Sequence, residues 1–320
     1  MLDLDPKTLR LLVAVCEHRN IKQAAAQEHI EPSAISKRIA QLEHRLGAPL
    51  LVRGRRGVQP TPAGQALLEH ARTLLFTLER IEADVAAFAG GIKGQVRLVA
   101  SISAIAESLL DDIAAFMRAA QHRDIKVDIE ERLSRDVVRL VRDGGAALGI
   151  CWDRVDFQGL EQLPYRGDEL VLAVHAAHAL AGRRSLRFEQ TLAEQHVGLP
   201  PETAVHTMLA RAAARAGRRI DYRVIVSTFE ASLRVVAAGL GVSVMPQQVV
   251  QGSGRAEVIA VPLTDAWAQR RFAICFRSAD TLPPAAERLL QFLVARSKEE
   301  PAVVRSLKHS ASLVDKDDVR

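Results

Sequence analysis

Apolar positions change their spacing twice along the chain, and each change marks a different kind of element. Up to about residue 60, short runs repeat at helical steps. Leu9, Leu12, Val13 and Cys16 form one stripe, and an alanine-rich stretch at 21–29 forms a second short helix. Ile35, Ile39, Leu42 and Leu46 share one face of a third helix, which Pro32 opens and Gly47 stops. A long helix over 62–89 follows, with Leu67, Ala71, Leu74, Leu78, Ile81, Val85 and Phe88 at alternating steps of four and three. A period near 3.5 asks for a partner helix, whereas a domain core would be served by 3.6. Gly90, Gly91 and Gly94 then make a flexible joint. Beyond Gln95 the pattern alternates. Strand-like runs such as VRLVA, IKVDIE, ELVLAVH and RFAICF are separated by helices at 104–119, 134–143, 203–216 and 229–238. This alternation predicts an α/β fold with mostly parallel sheets, large enough for two lobes.

Length and composition agree with this division. A chain of 320 residues exceeds one ordinary core and suits two domains. No apolar run reaches the roughly 18 residues of a membrane span. The opening MLDLDPKTLR carries two Asp before any apolar stretch, unlike a secretory signal, so a cytoplasmic protein is expected. Cys16, Cys151 and Cys275 are far apart and read as reduced thiols. The net charge of +5 is modest, but residues 31–60 hold Lys37, Arg38, Arg45, Arg53, Arg55 and Arg56 against only Glu31 and Glu43. A basic patch in an otherwise balanced chain is the footprint of phosphate contacts.

The stretch NIKQAAAQEHIEPSAISKRIAQLEHRLG places that charge on a helix-turn-helix. Ala24, Ala25 and Ala26 let a second helix cross closely, and His29 and Ile30 make the turn. The outward positions of the next helix are small or polar: Ser33, Ser36 and Lys37, with Ala34 able to meet a thymine methyl. The basic turn LLVRGRRGVQPTPAG reads as a wing laid against phosphates through Arg53, Arg55 and Arg56.

These segments, with VDIEERLSRDVVRLVRDGGAALGI, DELVLAVHAAHALAG and VVAAGLGVSVMP, resemble the LysR family of transcription regulators from about residue 5 to 297. The resemblance implies an α+β multidomain chain: a winged helix-turn-helix at 1–61, a linker and dimerisation helix at 62–89 and a hinge at 90–94. A bilobed α/β sensor like a periplasmic binding protein follows at 95–297, with a disordered tail at 298–320. It further implies a sequence-specific regulator bound to an interrupted palindrome in double-stranded DNA as a homodimer or homotetramer, with RNA polymerase as a further partner and a small molecule as effector. Ser33, Ser36 and Lys37 would then face bases or adjacent phosphates, and the three wing arginines the backbone. There are three departures. Glu31 and Pro32 stand where the family often has Ser and Gln, which removes an adenine contact; Leu51 and Pro60 replace the usual Phe and Leu beside the wing; and Ala147 replaces a common Asp.

In such a sensor, ligands bind beside helix N-termini at strand ends. Ser101, Ser103, Thr203, Ser227 and Thr228 lie on three such turns and could hold a small organic acid, although each could instead cap its own helix. No cofactor or metal site is expected; His175 and His178 lack supporting ligands. Cys151 lacks a visible resolving partner for redox chemistry. The sequence holds no GxSxG, phosphate loop or GxGxxG, so an enzyme is not expected. The competing reading is a DNA-binding protein whose second domain only mediates oligomerisation.

Overall fold

The computed structural model describes residues 4–54, 57–88 and 93–298. Arg55 and Arg56, most of the expected hinge and nearly all of the expected tail lie outside the described residues. Helix α1 (Pro6–His18) starts where the Asp5 carboxylate accepts the N–H groups of Lys7 and Thr8, and α2 (Ile21–Gln27) starts on the matching Asn20 cap. His29 adopts a left-handed φ of 52° between α2 and α3 (Pro32–Leu46), and Ile30 N–H closes the turn on the Ala25 carbonyl. Ala24 and Ala25 are buried among Leu11, Val15, Ile35 and Ile39, so two small side chains set the helix spacing; Ala26 is exposed.

Strands β1 (Leu51–Gly54) and β2 (Gly57–Pro60) pair antiparallel as the wing. The Glu43 carboxylate holds them to α3 by accepting the Leu50 and Leu51 N–H groups at 2.7 and 3.1 Å. The long α4 (Pro62–Phe88) begins on a Thr61 cap. Gly64 is obligatory there, because a Cβ would fall 1.9 Å from the Leu50 carbonyl oxygen.

The seam expected on α4 divides in two. Leu67 and Ala71 pack with Leu9, Leu12, Leu42 and Leu50 in the core of the N-terminal unit. Leu74, Ile81 and Val85 are 37, 50 and 66 % exposed, an apolar stripe uncovered by the chain itself. The helix also lies against the sensor. Glu17 of α1 sits between Arg72 of α4 and Arg97 of the sensor, at 3.5 and 3.7 Å, and the Arg277 guanidinium lies 4.3 Å over the Phe76 ring.

The first lobe contains β3 (Gly94–Ala100), α5 (Ile102–Ala104), a π turn (Ile105–Leu109), α6 (Leu110–Arg118), β4 (Ile125–Glu131), α7 (Ser134–Arg142) and β5 (Leu148–Trp152). Strand β6 (Glu161–His175) then carries the chain into the second lobe: β7 (Gln195–Gly198), α8 (Ala204–Arg215), β8 (Asp221–Ile225), α9 (Phe229–Ala237), β9 (Ser243–Pro246), α10 (Gln247–Gly252) and β10 (Val258–Pro262). Strand β11 (Gln269–Phe276) returns to the first lobe, and α11 (Pro284–Lys298) covers it.

The expectation of mostly parallel sheets needs correcting. β3 pairs parallel with β4 and β5, and β7 with β8, but β11 runs antiparallel to β5 and β6, and β6 antiparallel to β9 and β10. The two crossing strands must run in opposite directions to leave the first lobe and re-enter it, and their neighbours inherit that polarity. Where they cross, Asp168 opposes Arg270, and the Arg270 Nε–H donates to Asp168 Oδ1 at 2.7 Å, with both side chains buried.

Candidate nucleic-acid interface and inter-lobe cleft

On α3 the stripe of Ile35, Ile39 and Leu42 is buried, which turns Ser33, Lys37, Gln41 and His44 outward together. Of the residues expected to face bases, Ser33 and Lys37 stand on this exposed stripe and Ala34 at its edge. Ser36 is half-buried and its hydroxyl donates to the Pro32 carbonyl at 3.1 Å, so it serves its own helix. Arg38 is likewise engaged, donating to Asp5 at 2.9 Å. Gln41 and His44 extend the face beyond the residues picked from the motif; counting four and seven residues on from Lys37 would have found them. Arg53 lies in β1, with its neighbours Arg55 and Arg56 outside the described residues.

The sensor has a cleft of about 310 Å³ between its lobes. Ile102, Ile105 and Ala106 line it from the α5 and π-turn side, and Phe229, Leu233 and Val249 from α9 and α10. Thr228, Gln248, Glu131 and Glu230 add polar groups.

The five hydroxyl residues singled out from the sequence divide. Thr228 lines the cleft, but its Oγ1 also accepts the Ala231 N–H at 3.1 Å as the cap of α9. Thr203 caps α8, accepting from His206 N–H and donating to the Pro200 carbonyl. For these two the capping reading holds. Ser227 is exposed and Ser103 buried, and neither lines the cleft. Ser101 is the informative one: it does not line the cleft itself but precedes the cleft-lining Ile102, it is 6 % exposed, and its hydroxyl has no hydrogen-bond partner among the described residues. A buried hydroxyl of that kind leaves a group free to bind.

Two further features were invisible in the sequence. Burial pushes the Glu107 carboxyl, on the π turn, up to about 7; nearby Asp168 adds to this, and Arg166 and Arg270 oppose it. Cys151 and Cys275, on adjacent strands, hydrogen-bond to each other, and that contact and burial push the Cys151 thiol far up. Cys151 therefore has a sulfur neighbour in an apolar setting, and its own thiol is held protonated there. Among the described residues no group of three His, Cys, Asp or Glu could hold a metal ion. No helix among them is long and apolar enough to cross a membrane.

Comparison with known proteins places this geometry. Residues 6–65 match the bacterial regulatory helix-turn-helix protein, lysR family, and residues 89–298 match the LysR substrate binding domain. The chain is 25% identical over 287 residues to the uncharacterized HTH-type transcriptional regulator YbhD of Escherichia coli, covering 90% of each. Among solved structures, a full-length OxyR variant from Pseudomonas aeruginosa superposes with a TM-score of 0.71 at 21% identity, covering 94% of this chain and all of the other. CbnR, a LysR family transcriptional regulator, gives a TM-score of 0.66 at 22% identity, covering 93% and 100%. A helix-turn-helix with an outward polar stripe, a long connecting helix and a two-lobed substrate-binding domain are thus matched over almost the whole chain, which belongs to the LysR family of DNA-binding transcription regulators.

Proposed function

We propose that this protein is a cytoplasmic, non-enzymatic regulator in which a small molecule bound between the sensor lobes alters how paired DNA-reading units meet an interrupted palindrome. The observation that carries the reading is the outward stripe of α3, polar and basic where the opposite stripe is the domain core. A structure of CbnR holds that relative with its target DNA, which supports the assignment of this face. The uncovered stripe of Leu74, Ile81 and Val85 supplies the contact for a second subunit. Ser101, with its unpartnered hydroxyl, is the residue assigned to orient the effector. Effector binding shifts the assembly only if the ligand prefers one packing of the sensors over another.

Selection from random duplexes should return a site with two half-sites related by a dyad. Recovery of single, unpaired sites would count against a dimeric reader. Leu74→Asp combined with Ile81→Asp should give a folded monomer in analytical ultracentrifugation, since both residues are exposed in the single chain. A dimer that survives both changes sinks the α4 assignment. If no metabolite raises the melting temperature of the sensor, the oligomerisation-only reading gains.

A further inference from the structure

The lining of the inter-lobe cleft is mostly apolar, with Thr228, Gln248 and Ser253 as its uncharged polar side chains, and its charged positions are both carboxylates, Glu131 and Glu230. Among the described residues no Lys, Arg or His lines it. We propose that the cleft takes a small cation with an apolar body, such as an arylalkylamine, in place of the organic acid that its hydroxyl-bearing turns suggest. The inference rests on the assignment of this cleft as the effector site.

Three observations point to this class. The first concerns the N-terminus of α9, whose first two residues, Phe229 and Glu230, line the cleft. Its Thr228 cap is already used on Ala231 N–H, and Glu230 sits in its first turn, where a carboxylate complements the helix dipole. The anion that this helix end favours is therefore part of the protein itself. The second concerns Glu131. Its neighbour Glu130 pairs with Arg97 and Arg132, but Glu131 has no ion pair among the described residues, whereas Glu230 is bonded to Arg234 one turn along α9. Glu131 is the carboxylate left for a ligand. The third is the wall itself. Ile102, Ile105, Ala106, Phe229, Leu233 and Val249 offer no partner to a carboxylate that leaves water, Thr228, Gln248 and Ser253 offer no countercharge, and the two acids repel it. An ammonium group meets Glu131 while its hydrocarbon covers the apolar wall.

Three probes of nearly equal shape test the charge class: 2-phenylethylamine, 2-phenylethanol and phenylacetate, titrated into the full-length protein by ligand-observed NMR. The amine is expected to bind about fivefold or more tightly than phenylacetate, with the alcohol between them. Glu131→Gln should weaken the amine several-fold and leave the alcohol unchanged, and Glu230→Gln should have a smaller effect because Arg234 already neutralises that group. Phenylacetate binding as tightly as the amine, or no probe binding at about 10 mM, overturns the inference. Ala106→Phe, which fills the cleft, separates this failure from that of the site assignment. Phenylacetate lost in Ala106→Phe leaves the cleft as the effector site with the opposite charge preference. Amine binding that survives Ala106→Phe removes the ligand from the cleft and overturns both. Circular dichroism of each variant confirms that the fold is retained.

Discussion

On the outward face of α3 charge stands at the surface: Lys37 is exposed, and the Asp5–Arg38 pair beside it is about two-fifths exposed at each partner. In the sensor, charge is drawn inside. Arg270 and Asp168 are buried together where the lobes cross, and Asp112 is buried under the bidentate Arg166, Tyr165 and Arg296. Burial alone would raise the Asp112 carboxyl, but the hydrogen bonds from Arg166 and Tyr165 outweigh it and hold it below the usual carboxylate range. Exposed charge costs nothing to keep and is available to a polyanion. Buried charge fixes geometry and is available to nothing else. The same class of substitution should therefore cost affinity in one half and folding in the other.

The largest expected effect is in the sensor. Asp168→Asn leaves Arg270 buried without its counter-charge and should lower stability by about 3–5 kcal/mol. Both tryptophans, Trp152 and Trp267, lie in the sensor, so their fluorescence during urea unfolding follows this half alone. A loss below about 1 kcal/mol would mean that water reaches the pair and that the contrast fails.

Next comes Glu107. Its raised carboxyl means that the folded chain holds a proton that the unfolded chain releases between pH 4.5 and about 7. The benefit of the protonated group is complete below the lower value and lost as pH rises through the upper one. Glu107→Gln should therefore flatten the decline in sensor stability across this window and exceed the wild type at pH 8 by about 1–3 kcal/mol. Equal pH profiles for the two proteins would show that Glu107 ionises freely.

Lys37→Ala should leave the tryptophan transition unmoved. It should instead weaken binding to any mixed-sequence duplex and reduce the slope of log affinity against log salt by about 1. An unchanged slope removes Lys37 from the phosphate contacts. The smallest effect is expected at Arg38, whose guanidinium is held by Asp5 and Thr8. Arg38→Ala should change stability by no more than about 1 kcal/mol and leave the salt slope as in the wild type. A shallower slope would show that Arg38 leaves Asp5 for the DNA.

The sequence by itself determined the local elements and the N-terminal unit. Helical spacing placed Ile35, Ile39 and Leu42 inward, and that alone turns Ser33 and Lys37 outward, because a helix has only one opposite face. Pro32 and Gly47 carry their own backbone constraints and were readable one residue at a time. The division of the α4 stripe was not readable, since Leu67 and Leu74 repeat at the same period and differ only in what lies beside them. Only the tertiary structure decided the antiparallel crossing of β6 and β11, the pairing of Asp168 with Arg270 across about a hundred residues, and the contact between Cys151 and Cys275. It also decided which hydroxyls were consumed as caps and which, at Ser101, was left without a partner. Periodicity reports which way a side chain faces from its own element. What it faces, and with what charge, depends on the elements that pack opposite, and that is why the cleft and its acidic lining emerge only once the two lobes are placed together.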